Sequence, residues 1–247
     1  MRWLLLILSV LMSPVSAEEV DLELVLLADA SGSISNEEIR FQRQGYAAAI
    51  THPDVLSAIA ETAYGSISVT YVEWAANTAV VVDWTRVDGP DSAARFADAL
   101  IGPPRQAYGR NAIGGALLDA KRLIERNEFE GWRKVIDFSG DSPNSFSGPP
   151  IEEARDTVVS AGITINALPI LCRFCDSFAR FPDLDEIYAR RIIGGPGAFV
   201  VTAADETDLA RAIRRKLILE ISGQIPELDI ARDHPRQGRS EFAQIPN

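Results

Sequence analysis

The sequence predicts an α/β domain, doubly wound about a mostly parallel central sheet with one antiparallel edge strand and helices on both faces. Three observations carry that prediction. Strand-like and helix-like segments alternate along the chain, the pattern of a parallel sheet covered on both sides by right-handed crossovers. The first strand contains five apolar residues in a row, Leu24 to Ala28, which reads as a strand buried on both faces. Two β-branched segments, 66–74 and 78–84, lie close enough together to form a hairpin, which supplies the antiparallel edge.

The elements follow in order. After the opening strand, Ser35 has the character of an N-cap with Glu38 at the third helical position, and Ile39, Tyr46 and Ile50 recur at helical spacing. The hairpin comes next. Residues 91–100 read as a short helix stopped by the Ile-Gly-Pro-Pro run at 101–104. A loop, RQAYGRN, leads into a helix over 112–126, and RKVIDFS at 133–139 is a strand followed by the turn-rich GDSPNSFSGPP. Residues 151–161 are helical, GITINALPI is a strand, 184–191 a short helix and 197–203 the last strand. A final amphipathic helix over 205–221 places Leu209, Ile213, Leu217 and Ile221 on one stripe. From residue 223 the composition turns polar and aperiodic, so the domain is placed at 20–222 and a flexible tail at 223–247.

The ends of the chain and its charge narrow the function. Arg2, an apolar run over 3–12 and small residues up to Ala17 have the form of a secretory signal peptide cleaved after residue 17. The run is about half the ~20 residues needed to span a bilayer, and no later segment is long enough. The chain therefore reads as exported, to a periplasm or beyond the cell. The net charge is −11; losing Arg2 lowers the 24 basic residues to 23 against 35 acidic, a mature charge of −12. That balance argues against nucleic acid or an anionic membrane as partner. Cys172 and Cys175, the two cysteines, suit a local disulfide in an oxidising compartment, with a free pair or a redox pair as alternatives.

The chemistry gathers at strand ends. In LVLLADASGSISNEE, Asp29, Ser31 and Ser33 form a DxSxS pattern that offers one anionic and two neutral oxygens within a single turn. Hard cations such as Mg²⁺ take oxygen ligands and keep positions for water or a partner. Few protein charges around the ion would leave it seeking a further carboxylate. Asp141 lies at another strand end, just past 133–139, and in open sheets ligands gather at the carboxyl ends of strands. Plainer roles stand beside these. Ser31, Ser33 and Ser35 could cap the following helix, Ser35 above all. Asp137, inside a buried strand, needs a partner, either an Arg or loop hydroxyls. Trp74 and Trp84 read as packing residues.

With DxSxS at the end of the first strand and this order of elements, residues 20–222 resemble a von Willebrand factor type A domain. The phrases INALPI, IGGPGAFV and AIRRKL carry a nearer resemblance to exported bacterial proteins of that fold whose function is uncharacterised. The resemblance implies a metal-ion-dependent adhesion site with Asp29, Ser31 and Ser33 as its first loop, Asn111 in the second and Asp141 in the third. It implies a divalent cation, Mg²⁺ first with Mn²⁺ or Ca²⁺ as alternatives, and a protein partner that contributes an acidic side chain. Two departures from the family pattern stand out. Asn111 occupies a threonine position, and FSGDSPN replaces the common TDG, so Ser139 or Ser142 could assist Asp141. Asn111 could equally be the N-cap of its helix.

Three functions compete. The first is a binding module that uses the ion, with specificity set by Tyr108, 143–146 and 172–178. The second is an ion-assisted hydrolase, but the sequence has no GxSxG elbow and no P-loop lysine, and both histidines lie away from the candidate loops. The third is a structural or assembly protein that keeps the fold without the ion. The sequence favours the first and a non-enzymatic role.

Overall fold

Leu22, Leu24 and Leu26 pack with one set of helices and Val25 and Leu27 with the other, and all five are fully buried. A strand apolar on both faces belongs in the middle of a sheet, and that is where this one lies. The structure is a computed structural model describing residues 17–171, 181–203 and 206–224. The expected leader up to Ser16, the Cys172–Cys175 pair and the tail beyond Gln224 lie outside the described residues.

The strands are β1 (Glu18–Asp29), β2 (Ile67–Trp74), β3 (Thr78–Val87), β4 (Phe129–Gly140) and β5 (Thr164–Pro169). They form one sheet in the order β3-β2-β1-β4-β5. β1 runs parallel to β2 and β4, β4 parallel to β5, and β2 pairs antiparallel with β3. The α/β class and the single antiparallel edge strand agree with the sequence reading. Because the chain leaves β1 first toward β2 and later resumes at β4 on the other side, the strand order reverses between β1 and β4. Open sheets place their ligand crevice at such a point.

The helices are α1 (Asn36–Ile50), α2 (Pro53–Ala60), α3 (Pro90–Ile101), α4 (Ile113–Arg126), α5 (Ile151–Ser160), α6 (Leu184–Arg191) and α7 (Glu206–Ser222). One core joins the sheet to α1, α3 and α7 through Tyr46, Ile50, Phe96, Ile213 and Leu217. The opposite core joins it to α4, α5 and α6 through Ile113, Leu117, Val158 and Tyr188. Among the described residues, no helix is long and apolar enough to cross a membrane.

Two elements differ from the sequence reading. The sequence pattern names no element over 51–65, yet Pro53–Ala60 is helical, started by a proline in its first turn and by His52 Nδ1, which accepts from Asp54 N–H at 3.2 Å. The last strand, expected over 197–203, survives as two isolated parallel bridges, Ala167 to Val200 and Ile170 to Ala203. Pro169 has no N–H to donate, and the Asn166 side chain takes the Phe199 N–H at 3.1 Å, so a regular ladder cannot form.

Candidate metal centre

Asp29 is the last residue of β1 and is 1% exposed. Its Oδ1 accepts the Ser31 N–H at 2.7 Å, which folds the chain back over the carboxylate and aims both serines at it. Ser31 Oγ lies 3.1 Å from Ser33 Oγ, and Ser33 Oγ donates to Asp141 Oδ1 at 3.3 Å. Side chains far apart in the chain thus meet in one polar string. Neither Ser31 nor Ser33 caps α1. Ser35 does that, accepting Glu38 N–H at 3.2 Å while Glu38 accepts the Ser35 N–H at 2.7 Å.

Asp29 Oδ2 is buried and makes no hydrogen bond of normal geometry. Its surroundings explain how it is held. A Cβ built on Gly140 would stand 3.2 Å from Asp29 Oδ2, 3.1 Å from Trp74 and 2.7 Å from the Tyr188 hydroxyl, so only glycine lets β4 end this close. That glycine offsets Asp141 by one residue, and the Ser33 contact shows that the offset is absorbed. Burial, and then the negative charge of Asp141, push the Asp29 carboxyl up to about 7 against hydrogen bonds from Ser31 and the Asp141 backbone N–H. Asp141 is raised too, by burial first and by the Glu38 charge, with the Ser33 hydroxyl opposing. Tyr188 supplies no proton to either acid: its hydroxyl donates to the Ser142 carbonyl at 3.0 Å.

Asn111 lies in the loop beside this string. Gly109, at a φ of 102°, presents its carbonyl to Gly32 N–H at 2.8 Å, which ties the two loops together. The Asn111 carbonyl accepts Phe146 N–H at 2.7 Å. Its side chain forms no hydrogen bond with Asp29, Ser31, Ser33 or Asp141, and its buried Nδ2 has no partner. Nor is it the helix cap. Ala112 holds that position, and Ser145 Oγ accepts the Ile113 N–H at 3.1 Å instead.

Arg105 and Glu73, which no local motif in the sequence marks, hold these loops from behind. Arg105 donates to the carbonyls of Ser31 at 2.8 Å and Ile34 at 3.0 Å, and also to that of Ala30. A planar fork of donors is suited to gathering three carbonyls at once. The Arg105 loop is fixed in turn by Glu73, which accepts Gln106 N–H at 2.8 Å and forms a buried ion pair with Arg43. The sequence carries one usable signal, Glu73, the one charged residue of its strand. Of the two proposed helpers, Ser142 Oγ accepts Asn144 N–H at 3.3 Å, while Ser139 lies on the α1 side of the sheet near Tyr46. Asp137 pairs with Lys216 at 2.7 Å, away from this centre.

The donor set suits a hard cation. It offers two carboxyls from separate loops, two hydroxyls and a nearby amide, and burial together with the Asp141 charge leaves the Asp29 carboxyl short of compensating charge.

A family model described as "Protein of unknown function (DUF1194)" matches residues 19–225. No curated protein matches the chain in sequence. Among solved structures, proximal thread matrix protein 1 from the mussel byssus, in a form with a zinc-occupied MIDAS motif, is 16% identical with a TM-score of 0.58, over 84% of this chain and 49% of that one. A von Willebrand factor type A protein from Catenulispora acidiphila is 18% identical with a TM-score of 0.55, over 82% of this chain and 43% of that one. The vWF domain of the type V pili tip protein Mfa5 from Porphyromonas gingivalis is 12% identical with a TM-score of 0.53, over 84% of this chain and 97% of that one. The chain spans less than half the length of the first two. At these identities the likeness establishes the fold, that of a von Willebrand factor type A domain.

Proposed function

The chain belongs to this DUF1194 family of proteins of unknown function, and we propose that its member described here is an exported binding module. It would hold a divalent cation, Mg²⁺ first, at Asp29, Ser31, Ser33, Asn111 and Asp141. Bound there, the cation would neutralise the two carboxyls and offer a coordination position to an acidic side chain of a partner protein. The observation that carries the reading is the buried Asp29 carboxyl, whose Oδ2 makes no hydrogen bond of normal geometry and whose nearest charged neighbour is the carboxyl of Asp141. Left alone, such an oxygen is costly; next to a cation it is satisfied. The zinc-occupied motif of the mussel protein of the same fold supports this assignment.

The reading is non-enzymatic. His52 is occupied at the α2 N-terminus, and the Tyr188 hydroxyl donates to a backbone carbonyl, so neither stands ready as a base at this rim. A second reading, a structural protein that has lost the ion, is favoured by the Asn111 side chain, which hydrogen-bonds to none of the other four.

A thermal shift separates the two. Mg²⁺ or Mn²⁺ at about a hundred times the dissociation constant should stabilise the protein by ~2.7 kcal/mol, or roughly 5–10 °C for a domain of this size. Asp29→Ala should abolish the shift, and monovalent salt should produce none. If Tm is unchanged by millimolar divalent ion, the adhesion reading fails and the structural one stands.

A further inference from the structure

The loops around the centre carry a cation that no acid among the described residues pairs with. Arg110 is exposed, and its guanidinium carbon lies 3.6 Å from the centre of the Phe146 ring; among the described residues no carboxylate pairs with it. It is a basic group directly beside Asn111, in a chain of net charge −11. Both neighbouring aromatics are open to solvent, Phe146 at 52% and Tyr108 at 58%. Both are also anchored. Tyr108 N–H donates to Asn77 Oδ1 at 2.9 Å and its hydroxyl to the Arg105 carbonyl at 2.7 Å, while Phe146 N–H holds the Asn111 carbonyl.

A guanidinium held over a ring by its face keeps its N–H edge free, and that edge matches a carboxylate bidentately. We infer that the partner segment is an extended acidic peptide carrying two carboxylates, one for the ion site and the second for Arg110, with Tyr108 packing beside it. The inference rests on the binding-module reading and names the class of partner. A sugar fits less well, because Arg110 already covers the Phe146 face on which a pyranose would stack.

The test uses fluorescent glycine–serine peptides with the full domain in Mg²⁺. One probe carries a single Asp; the others carry a second Asp about 2 to 6 residues further on, ~7–20 Å of extended chain. At one of these spacings the second Asp should tighten binding about three- to fivefold at low salt, the range of an exposed charge pair. The gain should shrink as salt rises. In Arg110→Gln the gain should vanish while single-Asp binding and ion affinity stay unchanged. A gain that persists in Arg110→Gln, no gain at any spacing, or tighter binding of polygalacturonate than of every peptide would each overturn the inference and leave the ion reading intact. Failure of all the peptides to bind, with or without chelator, would overturn both.

Discussion

Asp137 and Asp141 belong to one strand and the loop that leaves it, yet they meet opposite fates. Asp137 is fully buried between β4 and α7, where Lys216 pairs with it at 2.7 Å and also reaches Glu220; Asn166 Nδ2 donates to Glu220 Oε1 at 3.0 Å. Asp141 stands at the rim with Asp29, and among the described residues hydroxyls meet the two carboxyls there while no lysine or arginine pairs with either. The first cluster is closed: its positive charge is built into α7. The second is open, two carboxyls without a counter-charge. Lys216 compensates the first cluster from within the fold; on the binding-module reading proposed above, a cation from outside would compensate the second.

The sharpest way to break this contrast is to remove a partner from each cluster. Lys216→Met should strand two buried carboxyls and cost about 3–5 kcal/mol in denaturant unfolding, because an uncompensated buried charge is left behind. Asp29→Asn keeps an acceptor for the Ser31 N–H and removes a charge that has no partner. Without added ion it should change stability by less than about 1 kcal/mol, in either direction. Equal losses in the two variants would erase the distinction between closed and open clusters.

The closed cluster should also announce itself in pH. Burial, and then the Asp137 charge, hold the Glu220 carboxyl at about 7 against an ordinary 4.5, with Lys216 and Asn166 opposing. Asp137 is raised as well, burial outweighing Lys216, and the Tyr46 hydroxyl of α1 faces the same group of charges. The folded state therefore keeps a proton that the unfolded chain has released. Its stabilising contribution is complete below about pH 4.5 and is lost as pH rises through 7. In an Asp29→Asn background, where the rim carboxyl no longer titrates, unfolding free energy should fall across that window, and Glu220→Gln should flatten the fall. A slope that Glu220→Gln leaves unchanged would place the titration elsewhere.

How far the sequence could foresee this contrast depends on distance along the chain. Asp29, Ser31 and Ser33 sit within one turn, and Ser35 with Glu38 within another, so local spacing revealed both. The apolar stripe of α7 was equally legible, and Leu209, Ile213, Leu217 and Ile221 are all buried. That Asp137 needed a partner also followed from its strand. Which partner did not: Lys216 lies beside that stripe on a helix whose docking is a matter of tertiary packing, and an Arg or loop hydroxyls were the expectation. Asn111 failed as a cap for the same reason, since the group that caps α4 is Ser145 from the following loop. The interrupted last strand depends on Asn166 and Pro169 of the neighbouring β5, which no pattern within 197–203 can show.

Arg105 tests whether the open site is preorganised. Its donors gather the carbonyls of the loop that carries Ser31 and Ser33, so it positions ligands without touching an ion. Arg105→Lys should weaken ion affinity about tenfold in calorimetry, the usual cost of losing an outer-shell partner. Circular dichroism and the pH profile of the closed cluster should be unchanged. If Arg105→Lys binds the ion as wild type does, the loop holds its own shape.

The smallest expected change concerns Asn111, the one proposed ligand whose side chain is not hydrogen-bonded into the string. Its Nδ2 is buried with no acceptor, a burden of about 1–3 kcal/mol for a lost hydrogen bond, offset in part if Oδ1 gains a ligand role. Asn111→Thr removes that donor and puts a hydroxyl in its place, and a hydroxyl can both coordinate through oxygen and donate a hydrogen bond. The ion-free protein should gain about 1 kcal/mol. Ion affinity should rise a few-fold if the position faces the ion and stay level if it does not. Calorimetry on this one variant therefore decides whether the open site has five protein ligands or four, while the contrast with the closed cluster stands on Asp29 and Asp141 alone.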